Sequence, residues 1–307
     1  MTERVRHLHP AAPYRLAWAV WALRRRPENQ VDRWDGHAYR RVFVTPSGAP
    51  VVVKVTQAGP ATKPELVVTM TGAKVPASFQ QEVLATLERM LGVQTNLAGW
   101  QRLVARDPRL AALAQPWRGF RPPRYASVFE ALVNAVACQQ LTLTMGVRLV
   151  NQLAAAYGVA SSNAEGPCYS FPTPAALARA NHDDLRRLKF SYRKAAYLTT
   201  LAQAVESGAL NVVALETMDD REVVERLCRL PGVGRWSAEY VLLRGLGRTH
   251  VFPADDVGAR NHLQRWLALP EPLDYAGVQH VLRDWQPYGG LIYLHLLLKG
   301  IAERGWM

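Results

Sequence analysis

The sequence predicts an α+β protein: a small N-terminal antiparallel β-sheet domain with helices over residues 1–105, then an all-α domain over residues 106–307. Three observations predict it. Runs of β-branched residues in alternation are confined to the first hundred residues, apolar residues at helical spacing dominate afterwards, and a Pro- and Arg-rich segment separates the two. A chain of 307 residues is also long for a single compact core.

The elements follow in order. APYRLAWAVWALRRR reads as a helix, and HAYRRVFVTP, APVVVKVTQ and PELVVTMTG read as strands divided by the turn-rich PSGAP and AGPATKP. PASFQQEVLATLERMLG is helical, with Ser78 as the expected N-cap. Asp107 to Ser127 is read as a connection. Short helices with short links follow: VFEALVNAVACQQ, TLTMGVRLVNQLAAAYG, TPAALARA, DDLRRL, YRKAAYLTTLAQAVESG, DREVVERLCRL, RWSAEYVLLRGLG, GARNHLQRWLAL and LIYLHLLLKGIAER. No internal repeat or low-complexity segment interrupts them.

The net charge of +12 and a pI near 10.0 favour a polyanionic partner, nucleic acid ahead of a membrane surface. Cys138, Cys168 and Cys228 lack CxxC spacing, so neither a disulfide framework nor a metal cluster is expected. There is no apolar run long enough for a membrane span and no signal-peptide core, so a cytoplasmic, nucleoid-associated protein is expected. The arginines at Arg24–Arg26 and Arg186–Arg187 are read as solvated faces, and His295 as a satisfied core histidine.

One stretch stands apart. LPGVG (Leu230–Gly234) is flanked by two helical patterns, a helix-hairpin-helix over residues 219–247. Glycine permits positive φ, and its missing side chain lets backbone N–H groups approach an anion. The free N–H groups and positive dipole end of the next helix face the same place, so the hairpin suits a DNA phosphate. Two aspartates, Asp255 and Asp256, follow in VFPADDVGARN. On the residues alone they would serve as helix caps. Trp236 and Tyr240 lie one helical turn apart and share a face, either a packing seam or an aromatic wall.

These residues resemble the helix-hairpin-helix-Gly/Pro…Asp superfamily of DNA base-excision glycosylases, and most closely the bacterial 3-methyladenine DNA glycosylase II of the alkylation-repair branch. LPGVGRWSAEYVLLRGLG, FEALVNAVACQQLT, FPTPAALARA and WQPYGGLIYLHLLL carry the likeness, over roughly residues 100 to 305. The resemblance implies Asp256 as the catalytic carboxylate, Asp255 as cap or orienting residue, and Trp236 and Tyr240 in the base pocket. It implies DNA contacts from Leu230, Gly232, Val233, Gly234 and Arg235, and from the CQQLT loop, with Gln139 beside it and Gln140 or Leu141 as the intercalating wedge. The slot of the nucleophilic lysine in bifunctional members holds Trp236, which implies a monofunctional enzyme that uses water and leaves an abasic site.

The sequence departs from that pattern at two pocket positions, with Val257 where the branch has a tyrosine and Leu297 where it has a tryptophan. The pocket loses aromatic area, and its range is expected to shift towards fewer or smaller purine lesions. No organic cofactor and no metal are expected, although the carbonyls of such hairpins can bind a monovalent cation. The expected partner is duplex DNA with damaged bases, bound by a monomer. Two other readings stay open: a non-catalytic DNA-binding module in which Asp256 only caps a helix, and a superfamily glycosylase for oxidised or mismatched bases.

Overall fold

The computed structural model describes residues 2–163 and 166–307. A five-stranded antiparallel sheet opens the chain, formed by β1 (Thr2–Leu8), β2 (Arg33–Trp34), β3 (Ala38–Val44), β4 (Pro50–Ala58) and β5 (Glu65–Gly72) in the order β1-β5-β4-β3-β2. Register explains its buried face. Val51, Val53 and Val55 pair with Gly72, Met70 and Val68, so the buried side chains of neighbouring strands fall on one side. The helices α1 (Leu16–Arg24) and α2 (Ala77–Met90) cover it, placing Leu16, Val20, Phe79, Val83 and Leu87 against those valines. A fully buried aliphatic side chain is worth roughly 1.5–3 kcal/mol, so this face alone anchors the sheet.

The helical part comprises α3 (Ala98–Val104), α4 (Pro108–Ala114), α5 (Val128–Cys138), α6 (Leu143–Tyr157), α7 (Pro174–Ala178), α8 (His182–Arg187), α9 (Tyr192–Glu206), α10 (Asp220–Cys228), α11 (Arg235–Arg244), α12 (Val257–Leu267), α13 (Tyr275–Val281) and α14 (Gly289–Glu303). Helix α5 is buried on all sides from Val128 to Ala137, as its nearly unbroken apolar sequence requires. One core runs from the sheet through α2 and α5 to α9 and α10, and a second surrounds α14. Helix α1 belongs to both, with Leu16, Val20 and Leu23 in the first and Trp21 and Ala22 in the second.

A buried charge group fastens sheet to helices. Arg41 of β3 donates to Asp32 at 2.7 Å and to Glu130 of α5 at 2.5 Å, and the Tyr39 hydroxyl donates to Asp32 at 2.7 Å. Burial raises the Glu130 pKa, and the Arg41 guanidinium opposes the rise.

Several expectations are corrected. The segment read as a connection contains α4, started by Asp107, whose carboxylate accepts from the backbone N–H groups of Arg109 and Leu110. The same side chain accepts from Trp285 Nε1 at 2.7 Å. Helix α2 starts at Ala77 after Pro76 with no side-chain cap, so Ser78 lies inside the first turn and does not cap. Strand β1 and helices α3 and α13 went unread, and so did a small hairpin of β6 (Ala160–Asn163) and β7 (Gly166–Tyr169) within the helical part. Strand β1 carries charged residues along most of its exposed edge, which hides its period.

Arg24 and Arg25 are not solvated: they are only 4% and 5% exposed, because the backbone folds over them. Arg24 donates to the carbonyls of Trp34 and Pro27, and Arg26 pairs with Glu28. Arg186 and Arg187 are exposed as expected. No helix among the described residues is long and apolar enough to cross a membrane.

Candidate active site

The hairpin is built by turn chemistry. A capping box of Asp219 and Glu222 starts α10. At its other end Val233 N–H donates to the Leu230 carbonyl at 3.1 Å, closing a turn with Pro231 second and Gly232 third. Gly232 has φ +81°, the value that the third position of a type II turn demands. A methyl group there would also run into the Tyr197 ring of α9. Gly234 differs: its φ is −102°, which any residue can adopt, and an added Cβ would meet nothing within 4 Å. It heads α11 with no side-chain cap, beside exposed Arg235. Val233 is buried and Leu230 half-buried, so these two brace the turn from within.

Helix α11 carries the aromatic pair. The rings of Trp236 and Tyr240 lie 5.6 Å apart, tilted by 32°. Trp236 is half-buried; Tyr240 is buried, with its hydroxyl 2.9 Å from that of Tyr125.

Asp256 is both cap and functional carboxylate candidate. Its Oδ1 accepts from Ala259 N–H at 2.9 Å and starts α12. Its Oδ2 accepts from Trp236 Nε1 at 3.3 Å and from the Tyr293 hydroxyl at 3.0 Å. The two roles use different oxygens and do not compete. Asp255 is corrected as a cap: it pairs with Arg235 Nε at 2.8 Å. The Arg235 guanidinium also stacks on Tyr275 at 3.7 Å, and Tyr275 donates to Glu239 at 2.7 Å. Burial raises the pKa of Glu239, which also accepts from Ala254 N–H.

The loop after α5 comes to the same hairpin. The Gln139 amide donates to the Gly232 carbonyl at 2.6 Å and to Ser237 Oγ at 2.9 Å, so this side chain ties the loop to the turn. Lys194 Nζ donates to the carbonyls of Ala137 and Gln139. Gln140, in the left-handed region at φ +56°, and Leu141, 42% exposed, are presented outward from this anchored base.

Val257 is 58% exposed beside Asp256. Leu297 is half-buried and packed against the second core. The residue of α14 that reaches the carboxylate is Tyr293, one turn earlier and missed in the sequence; burial, then Asp256, raises its pKa well above the usual phenol value. The signal was available, since Tyr293 precedes Leu297 by four positions in the stretch that carried the likeness. His295 is buried between Trp100 and Phe120 with its Nδ1 on the Leu291 carbonyl, and burial lowers its pKa to about 4, so it is a neutral core histidine. Among the described residues no group of three or more His, Cys, Asp or Glu side chains could hold a metal ion.

A helix-hairpin-helix whose second helix joins an aromatic wall to a half-buried aspartate, behind a five-stranded sheet, is the layout of a base-excision repair protein. Residues 133–287 match the HhH-GPD superfamily of base excision DNA repair proteins, and the chain belongs to that superfamily. Residues 5–127 match the AlkA N-terminal domain. The chain is 28% identical to DNA-3-methyladenine glycosylase 2 of Escherichia coli, over 92% of this chain and 93% of that one. It is 26% identical to a putative DNA-3-methyladenine glycosylase of Bacillus subtilis, over 92% and 95%. The 3-methyladenine DNA-glycosylase structure from Archaeoglobus fulgidus shares the fold, with a TM-score of 0.83 at 24% identity, covering 98% of this chain and 100% of that one.

Proposed function

We propose that this protein is a monofunctional DNA glycosylase, of the 3-methyladenine DNA glycosylase II kind, that hydrolyses the N-glycosidic bond of alkylated bases in duplex DNA and leaves an abasic site. The observation that carries the reading is the setting of Asp256. One oxygen is fixed by the start of α12, and the other is held by Trp236 and Tyr293, with Val257 exposed beside it in the chain. A held carboxylate of this kind stabilises an oxocarbenium-like sugar as the base departs, and orients the water that adds to it. In this reading the uncapped start of α11 and the open side of Gly234 receive a phosphate. Gln140 or Leu141 fills the gap left by the extruded nucleotide, and Trp236 and Tyr240 wall the base.

Water as the nucleophile fits the lysines as well. Trp236 fills the slot of the lyase lysine, and the ammonium of Lys194 is occupied by two carbonyls. The division at residues 105 and 106, a monomeric state and action on chromosomal DNA in the cytoplasm belong to the same reading. The test is release of 3-methyladenine and 7-methylguanine from methylated duplex DNA by the wild type and by Asp256→Asn, with strand nicking scored before and after alkali. Release by the wild type alone, with nicks only after alkali, is the expected result. No release by the wild type, with DNA still bound, would overturn it.

A further inference from the structure

Three consecutive residues of the loop between α11 and α12 are each held by a side chain of α11. Ala254 N–H donates to Glu239 Oε2 at 3.2 Å, Asp255 Oδ2 accepts from Arg235 Nε at 2.8 Å, and Asp256 Oδ2 accepts from Trp236 Nε1 at 3.3 Å. The loop turns tightly at this point, with Asp256 N–H on the Pro253 carbonyl at 3.0 Å. A side chain that fixes Ala254 therefore fixes the backbone from which the Asp256 carboxylate departs.

The three ties differ in setting. Arg235 and Asp255 are 52% and 31% exposed, and water screens an ion pair placed there. The Trp236–Asp256 bond is long for an N–H donor. Glu239, by contrast, is 7% exposed and Ala254 is fully buried, so breaking their bond strands an amide away from water. The other Glu239 oxygen accepts from the Tyr275 hydroxyl at 2.7 Å, and the Tyr275 ring carries the Arg235 guanidinium at 3.7 Å. Glu239, Tyr275, Arg235 and Asp255 thus brace the loop from α11 and α13 together. A carboxylate at this depth is costly to keep, and the chemistry proposed above gives it no task.

We propose that Glu239 is a positioning residue for base release: by holding Ala254 directly, and Arg235 through Tyr275, it fixes the loop that sets Asp256 against Trp236. The consequence for catalysis rests on the glycosylase reading; the hold on Asp256 rests on the geometry alone. Glu239 acts through the loop and not on the sugar. A carboxylate stabilises a forming cation only from a fixed place, so a loop free to shift loses rate before it loses DNA.

The experiment has two readouts, with thermal melting to check the fold. The first is the indole N–H resonance of Trp236 in a ¹⁵N spectrum, identified by its loss in Trp236→Phe. Asp256→Asn alters the partner of that N–H and marks where the signal goes when the bond is changed. Glu239→Ala should displace the signal in the same direction, while Glu239→Gln, which keeps an acceptor for Ala254 and a partner for Tyr275, should leave it near the wild-type position. The second is single-turnover release of 7-methylguanine, with affinity measured for the same duplex. Glu239→Ala is expected to slow release about 10- to 100-fold with affinity within about twofold, and Glu239→Gln to restore most of the rate.

An unmoved Trp236 signal in Glu239→Ala overturns the proposal. So does an equal loss of rate in the Ala and Gln variants, or a rate that falls only in step with affinity. If Glu239→Ala does not fold, Tyr275→Phe frees one Glu239 oxygen and keeps the ring under Arg235. It should slow release about threefold and displace the Trp236 signal the same way, and no change in either overturns the proposal. A wild type that releases no base removes the glycosylase reading, and the Trp236 signal still decides whether Glu239 holds Asp256.

Discussion

Asp32 and Glu130, where the sheet meets α5, are almost inaccessible and share Arg41 between them, with Tyr39 on Asp32. Asp256 at the head of α12 also accepts from a tyrosine, but it stays half-exposed and meets no cation within ion-pair distance among the described residues. The two regions use the same residue types to different ends. At the junction the carboxylates face a guanidinium and the hydrogen bonds are closed, so the group holds two parts of the chain in register. At the hairpin the donors hold a carboxylate without neutralising it, which under the proposed function leaves its charge for the cation that forms as the glycosidic bond breaks.

Five substitutions would break or sharpen this contrast. Glu130→Ala leaves Arg41 with half of its buried counter-charge and should cost about 3–5 kcal/mol of stability in a denaturant titration. If it changes base release without changing stability, the junction is part of the site. Asp256→Asn should do the reverse. An asparagine caps a helix about as well as an aspartate, so melting should barely move, while base release falls about 10²–10³-fold. A large drop in melting temperature would show that the cap is its main role.

Tyr293→Phe removes one hydrogen bond to a carboxylate, worth about 1.5–3 kcal/mol, and should slow release by about tenfold or more with DNA affinity unchanged. Equal rates would leave Trp236 as the sole orienting donor. The smallest effect separates the two glycines. Gly234→Ala should leave melting unchanged and weaken DNA binding a few-fold, roughly 1 kcal/mol, with a shallower salt dependence. Gly232→Ala should instead destabilise the fold, through its positive φ and the Tyr197 ring. Unaltered DNA affinity in Gly234→Ala would move the phosphate away from α11.

Much of the fold was legible from local pattern. Strands β4 and β5 alternate with one buried face, and α5, α6, α9 and α10 carry apolar residues at helical spacing, so each announces itself in its own local pattern. Strand β1 was hidden by its charged edge, and α4 by the prolines and arginines around it. Both depend on distant partners, β5 for one and Trp285 for the other. The candidate site divides in the same way. The hairpin and the aspartate pair stand within a single stretch of sequence and could be read there. Tyr293 is separated from Asp256 by 37 positions, and Arg25 from Tyr240 by 215.

The sequence by itself determined the α+β division, the glycine hairpin and the aspartate that follows it, because turn chemistry, helical period and strand alternation are properties of neighbouring residues. Only the tertiary structure decided which oxygen of Asp256 is tied to α12 and which is aimed by Trp236 and Tyr293, and that Gly232 is constrained by a ring while Gly234 faces open space. It also decided that Arg25, within an arginine run resembling a solvated face, is buried against the Tyr240 hydroxyl. The reason is physical: burial and hydrogen-bond partnership are set by residues far apart in the chain, and an arginine written among other arginines carries no mark of the cavity that will close over it.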